Sequence, residues 1–294
     1  MATQLLRQIW TAISHLNPND VRATAEQGIL IGLHANYDED YQAMEDFLCP
    51  PSLSRDRRLD VFNHLFRVDE PNAPKHFDVD IFAENMARPS GTFVFHPSDP
   101  GRLIRDILSM RAGLSLPLAR VFPPFRQPVI DEIIHNVAKE NALFSIATAV
   151  PDIVPSLIEV PWAVGQFASD TAFLTGNQTR MAFLIAAASN RTIGYRDQRN
   201  EIGSIMAGAF GWRAIARQLV AKIPFGGGLI PKAAIAYAGT YVAGRALERY
   251  YRDGYKYTEH ERKQAYEGAF ETGKRVAGEL IESLGLNKKS GEQK

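Results

Sequence analysis

The sequence predicts an α+β protein overall, a small N-terminal α/β unit followed by a larger all-α helical bundle that contains a Gly/Ala-rich helical hairpin. Three observations carry that expectation. Apolar runs of strand length occur only early, at 29–33, 77–83 and 92–96, between segments of helical period. From Leu114 onward every segment has helical period or helical composition. Between the two regimes, Pro117, Pro123, Pro124 and Pro128 punctuate a connector, because proline breaks helix interiors and suits first turns. The expected domains are 1–112 (α/β), 113–286 (all-α) and a polar tail, 287–294.

Element by element, Leu5, Leu6, Ile9, Trp10, Ile13 and Leu16 share one helical face, and Asn17-Pro18 should stop that helix. Arg7 is its only basic residue, which favours docking onto the protein over lying on a membrane surface. Residues 21–27 read as a short helix ended by Gly28, and the strand at 29–33 then feeds a helix capped by Asp38 and running to Leu48. Ser54 caps a further helix expected to reach Phe66. Asp99-Pro100 starts another, with Leu103, Ile104, Ile107 and Leu108 as its buried stripe. Later helices are expected from Pro128 to about 150, then at 162–174, 178–193, 198–223, 229–252 and 258–284.

Composition excludes several classes. A 45% hydrophobic and 22% charged chain is an ordinary globular one, and zero net charge gives no reason to expect nucleic acid, which needs a basic face. Charge is nonetheless uneven: residues 36–80 hold eleven acidic against five basic side chains, and 196–222 hold five basic against two acidic. With Cys49 alone, no intramolecular disulfide can form, so a reducing compartment and a buried structural thiol are expected. The first sixteen residues lack the basic start and apolar run of a signal peptide, which points to the cytoplasm.

The most informative segment is the hairpin. Gly203, Ala207 and Gly211 recur every four residues in one arm, and Ala236, Thr240 and Gly244 do so in the next. Between the arms lies the turn Pro224-Phe225-Gly226-Gly227-Gly228. Two small-residue ridges allow close helix contact, an idiom shared by soluble bundles and by helices paired in lipid. Each helix-interior glycine costs about 0.5–1 kcal/mol relative to alanine, so a close packing partner is expected. Residues 229–247 have the length of a membrane span, but Pro231, Lys232, Thr240 and Arg245 lower their hydrophobicity. Burial in a soluble bundle is the first reading and insertion of the hairpin into the inner membrane the second.

No complete catalytic, cofactor or metal site is legible. Gly226-Gly227-Gly228 with Lys232 fails as a phosphate loop, because Pro231 precedes the lysine and Ala233 follows it. Glu132 and His135 form half of a di-iron motif whose second half is absent, and the other histidines have no ligand spacing. Asp170, between Phe167 and Phe173, reads as a buried charge that needs Arg180, Arg191 or Arg213 as its partner. The run Asp38, Glu39, Asp40, Glu45 and Asp46 reads as a solvated helix start. Tyrosines 237, 241, 250, 251, 255 and 257, mixed with Arg245, Arg249, Arg252 and Lys256, suit a packed helix end, a protein contact or a membrane interface.

Leu118-Ala119-Arg120, Phe122-Pro123, Phe125-Arg126 and Glu140-Asn141-Ala142, with the turn Lys222-Ile223-Pro224-Phe225-Gly226-Gly227-Gly228, carry a resemblance. Over roughly 114–251 the chain resembles the YcjF-like helical domain of unknown function found in bacterial proteins. In relatives that domain often follows a Ras-like GTPase and is linked to membranes. The resemblance therefore implies a non-catalytic interaction or regulatory role beside a GTPase partner, with peripheral contact at the inner membrane. No GxxxxGK[ST] occurs anywhere, and residues 1–112 are short for a GTPase domain, so GTP hydrolysis by this chain is not expected.

Overall fold

Four short apolar strands form a parallel sheet in the order β2-β1-β3-β4, with β1 at Ile31–His34, β2 at Leu65–Arg67, β3 at Val79–Ala83 and β4 at Phe93–Phe95. The computed structural model describes residues 2–14, 16–150, 170–207 and 228–286. They fall into two compact units, Asn19–Asp131 with Ala186–Thr192, and Met1–Pro18 with Glu132–Ile185 and Ile193–Lys294. The opening helix thus groups with the helical unit and residues 113–131 with the sheet, a division that differs from the 112/113 boundary read from the sequence.

In the sheet unit, α2 (Pro18–Ala25), α3 (Asp38–Leu48), α4 (Arg55–Phe62), α5 (Pro100–Met110) and α6 (Ser115–Val121) accompany the strands. The centre of the sheet is fully buried at Ile31, Leu33, Val79 and Ile81, as parallel strands covered on both faces must be. Gly32 is required in β1, since a Cβ there would sit 2.7 Å from the Phe77 ring. The helix expected to reach Phe66 stops at Phe62, and Leu65–Arg67 is a strand instead. Pairing decides this: Leu65 and Phe66 lie in register with Ile31 and Gly32, and the Ile31 N–H donates to the His64 carbonyl at 2.8 Å. Ser54 caps α4 as expected, its Oγ accepting from the Arg57 N–H. Asp38 is not a cap, because Tyr37 holds the N-cap position and Asp38 opens the first turn. In α5, Leu103, Ile104 and Ile107 are buried. Cys49 is buried, and its thiol is pushed up chiefly by desolvation.

The helical unit contains α1 (Ala2–Ser14), most of α7 (Pro123–Ala147) and α8 (Asp170–Ala188), residues 199–207 as α9, α10 (Leu229–Asp253) and α11 (Glu259–Ser283). Ile9, Ala12 and Ile13 of α1 are buried, and the Tyr195 hydroxyl bonds the Ile13 and Leu16 carbonyls that end the helix. The break expected near residue 175 is absent, and α8 runs through Thr175-Gly176-Asn177. Packing accounts for this: a Cβ at Gly176 would lie 3.5 Å from Ala12, and the Thr175 and Thr179 hydroxyls bond carbonyls four residues back.

Helices α10 and α11 pack as an antiparallel pair, joined after Gly254, whose φ of 77° ends α10. Thr258 and Glu261 form a reciprocal capping box that starts α11. A Cβ at Gly273 would lie 2.9 Å from the Ala234 carbonyl oxygen, so the two backbones approach closely there. Much of the tyrosine and arginine cluster is paired internally. Arg245 and Arg252 both reach Glu248 at 2.9 Å, and Arg249 reaches Glu261 at 2.8 Å while lying over the Tyr257 ring. Among the described residues no helix is long and apolar enough to cross a membrane.

Candidate functional site

A parallel sheet sends every strand's carboxyl end to the same edge, and in open α/β sheets ligands bind there, where the connections reverse direction. In the order β2-β1-β3-β4 that reversal lies between β1 and β3. His34 ends β1, and its Nε2 is 2.8 Å from Asp80 Oδ1 of β3, while its ring stacks on Phe82 at 4.0 Å. One step along the edge, His96 Nδ1 is 2.8 Å from Glu84 Oε1. On the other side Arg67, at the end of β2, donates to both Glu45 oxygens at 2.6 and 2.9 Å and to Asp38 at 2.9 Å. It also lies over the Tyr41 ring at 4.9 Å. The Glu45 bonds, outweighing desolvation, raise the Arg67 guanidinium further above its ordinary value, so it stays charged.

The turn from β1 into α3 is Ala35-Asn36-Tyr37, followed by Asp38, Glu39 and Asp40 in the first helical turn. A helix N-terminus favours anions, and here its first turn carries the chain's own carboxylates, Asp38, Glu39 and Asp40. A phosphate ~5 Å from any of them would be repelled by about 1–3 kcal/mol per carboxylate, between water-like and protein-surface dielectrics. Each dyad at this edge ties two neighbouring elements together. Among the described residues no group of three or more His, Cys, Asp or Glu could hold a metal ion.

The helical unit has a second polar constellation, a seam where α7, α8 and α10 meet. Asn141, Asn177 and Thr240 are each 0% exposed. The Thr240 hydroxyl accepts from Asn141 Nδ2 at 2.7 Å and Gln178 Nε2 at 3.1 Å and donates to the Ala236 carbonyl at 2.9 Å, which exhausts its capacity. Asn177 Nδ2 donates to Asn141 Oδ1 at 3.0 Å and to Glu140 at 2.9 Å. Arg180 closes the chain on Glu140 and on Asn177 Oδ1. A closed network of this kind holds three helices in one register, because each slipped alternative leaves a buried donor without an acceptor. The Glu140-Asn141 pair quoted for the family resemblance lies inside it.

The residues expected at the helix interface are placed as follows. Ala236, Thr240 and Gly244 are buried. A Cβ on Gly244 would meet Ile134 at 2.7 Å and Met181 at 3.0 Å, so α7 and α8 are the partners of this row. Gly203 and Ala207 are exposed, and a Cβ on Gly203 would meet nothing within 4 Å, so close packing does not explain that glycine. Gly211 and the turn residues Pro224, Gly226 and Gly227 lie outside the described residues. Gly228 is the N-cap of α10. Asp170 opens α8, but its side chain, on which the expected buried charge rests, and Arg213 lie outside the described residues; Arg180, another expected partner, is bonded to Glu140. His135 bonds the Tyr237 hydroxyl at 3.0 Å, a packing role.

Sequence reasoning missed Asn177 and Gln178, because the expected break near residue 175 put them at a helix end. It also left His34 and His96 unassigned, since their acids lie on neighbouring strands. A polar stretch, Thr175 to Arg180, set between the apolar segments 172–174 and 181–188 was the available signal. No known protein family, curated protein or solved structure matches this chain.

Proposed function

We propose that this chain is a non-catalytic interaction or regulatory protein, acting in the cytoplasm beside a GTPase partner and in peripheral contact with the inner membrane. The observation that carries the non-catalytic part is the first turn of α3: where a doubly wound sheet would offer N–H groups to a phosphate, Asp38, Glu39 and Asp40 stand instead. The histidines at that edge are engaged with Asp80 and Glu84, and the helical unit's polar seam is closed on itself. The GTPase association rests on the resemblance over 114–251. The alternative, a hairpin that enters the bilayer, finds less support in α10. That helix presents Ala236, Thr240 and Gly244 to α7 and α8, and Ala234 and Ala238 to α11.

Two measurements test this. Titration of fluorescent GTP and ATP with magnesium into the purified chain should give no saturable binding at micromolar nucleotide. Mild cross-linking in cells, followed by native purification and mass spectrometry, should recover a stoichiometric protein partner containing a GTPase domain. Saturable nucleotide binding would overturn the non-catalytic reading, and recovery of this chain alone would overturn the partnership. Recovery in the soluble fraction at both low and high salt would remove the inserted alternative.

A further inference from the structure

The start of α7 and the end of α8 enclose a cationic cluster that the proposed function does not use. Arg126 is half-buried, and its Nε donates to the Ala188 carbonyl at 3.1 Å. Among the described residues it makes no other hydrogen bond and has no carboxylate within ion-pair distance. Its charged neighbour is another guanidinium, Arg57 of α4, and together desolvation and that repulsion weaken its hold on the proton. Arg57 is matched by Asp60 at 2.5 Å and also donates to the Arg120 carbonyl at 3.3 Å. Arg120 is matched by Glu26 at 3.2 Å and caps the Ala187 and Arg191 carbonyls.

Three guanidiniums therefore face two carboxylates and one helix C-terminus. That terminus is worth roughly half a negative charge, and Arg120 and Arg126 share it. Arginine does not escape such a site by losing its proton, so the imbalance persists. The Nη1 and Nη2 groups of Arg126 together present a planar fork of N–H donors with no acceptor among the described residues, the geometry that takes an oxyanion by two parallel hydrogen bonds.

We propose that Arg126, supported by Arg57, is a binding site for an oxyanion, a phosphate or carboxylate group received on the Nη1/Nη2 fork. The site is independent of the partner and nucleotide readings above. The test uses the full chain, with inorganic phosphate and acetate titrated separately against chloride at constant ionic strength. The readouts are the arginine Nε–Hε NMR signals and calorimetric Tm. The expected result is a saturable displacement of one signal, identified as Arg126 by its loss in Arg126→Gln. A Tm rise of about 2–4 °C at ten times the dissociation constant should accompany it and vanish in that variant. Stronger binding of phosphate assigns a phosphoryl ligand, and stronger binding of acetate a carboxylate. Arg57→Gln should weaken either several-fold. The proposal is overturned if neither anion does more than chloride, or if Arg126→Gln retains the Tm rise. Should Arg126→Gln not fold, unchanged affinity in Arg57→Gln overturns it.

Discussion

Replacing Thr240 by valine isolates the worth of a single hydroxyl at the centre of the polar seam. The swap nearly conserves volume, so no cavity opens, and it removes the acceptor of Asn141 Nδ2 and Gln178 Nε2 together with a donor to Ala236. Asn141 is fully buried and cannot reach water, and leaving one buried donor unsatisfied costs about 1–3 kcal/mol. Gln178 has a longer side chain that can partly reorient, so the two orphans together should cost about 2–4 kcal/mol. Thr240→Ser keeps the hydroxyl and loses one buried methyl, worth about 1 kcal/mol. Valine should therefore be the more damaging substitution, the reverse of what apolar burial alone would give. Trp10 lies on α1, which the structure groups with the helical unit, so urea unfolding followed by tryptophan fluorescence reads that part of the molecule. A valine variant within ~0.5 kcal/mol of the parent, or less destabilised than the serine variant, would refute the seam as a register device.

Two glycines at the expected interface should behave in opposite ways. Gly244→Ala forces a methyl against the stiff Ile134 side chain and should destabilise by about 1–3 kcal/mol, whereas Gly203→Ala enters open space on α9 and should stabilise by about 0.5–1 kcal/mol. Destabilisation by Gly203→Ala in the same urea assay would reinstate a close helix neighbour there. The Glu261 carboxyl is held at about 2, below its ordinary 4.5, first by the Thr258 N–H and then by Arg249. A depressed folded-state value means this contribution is fully present above about pH 4.5 and is lost as pH falls towards 2. The Tm gap between parent and Glu261→Gln should accordingly close across that window, and a gap independent of pH would contradict the linkage.

The candidate sites were unevenly legible. The apolar stripe of α5, the Ser54 cap, the burial of Cys49 and the docking of α1 all depend on residues within a turn or two, and periodicity carried them. Thr240 was singled out for its spacing from Ala236 and Gly244, which is correct for burial and says nothing of its bonds. The two donors to its hydroxyl lie 62 and 99 residues away, whereas its acceptor, the Ala236 carbonyl, lies only four away, and Asn177 lies 36 from Asn141. The strand β2 was hidden because Leu65-Phe66-Arg67 continues the pattern of α4 and becomes a strand only by pairing with β1.

The sequence alone determined that strands end early, that the remainder is helical, and that the row Ala236, Thr240 and Gly244 marks a close helix contact, whereas the same spacing at Gly203 and Ala207 does not. Those properties are local, set by side-chain spacing and by proline and glycine. The tertiary structure decided which helices the rows touch, giving Gly244 to α7 and α8 and Gly273 to α10 while leaving Gly203 open. It also decided that the carboxyl edge of the sheet carries the chain's own acids and that Arg126 has no acidic partner among the described residues. Charge balance at a point in space depends on groups brought together from distant parts of the chain, and no reading of neighbours along the backbone contains that information.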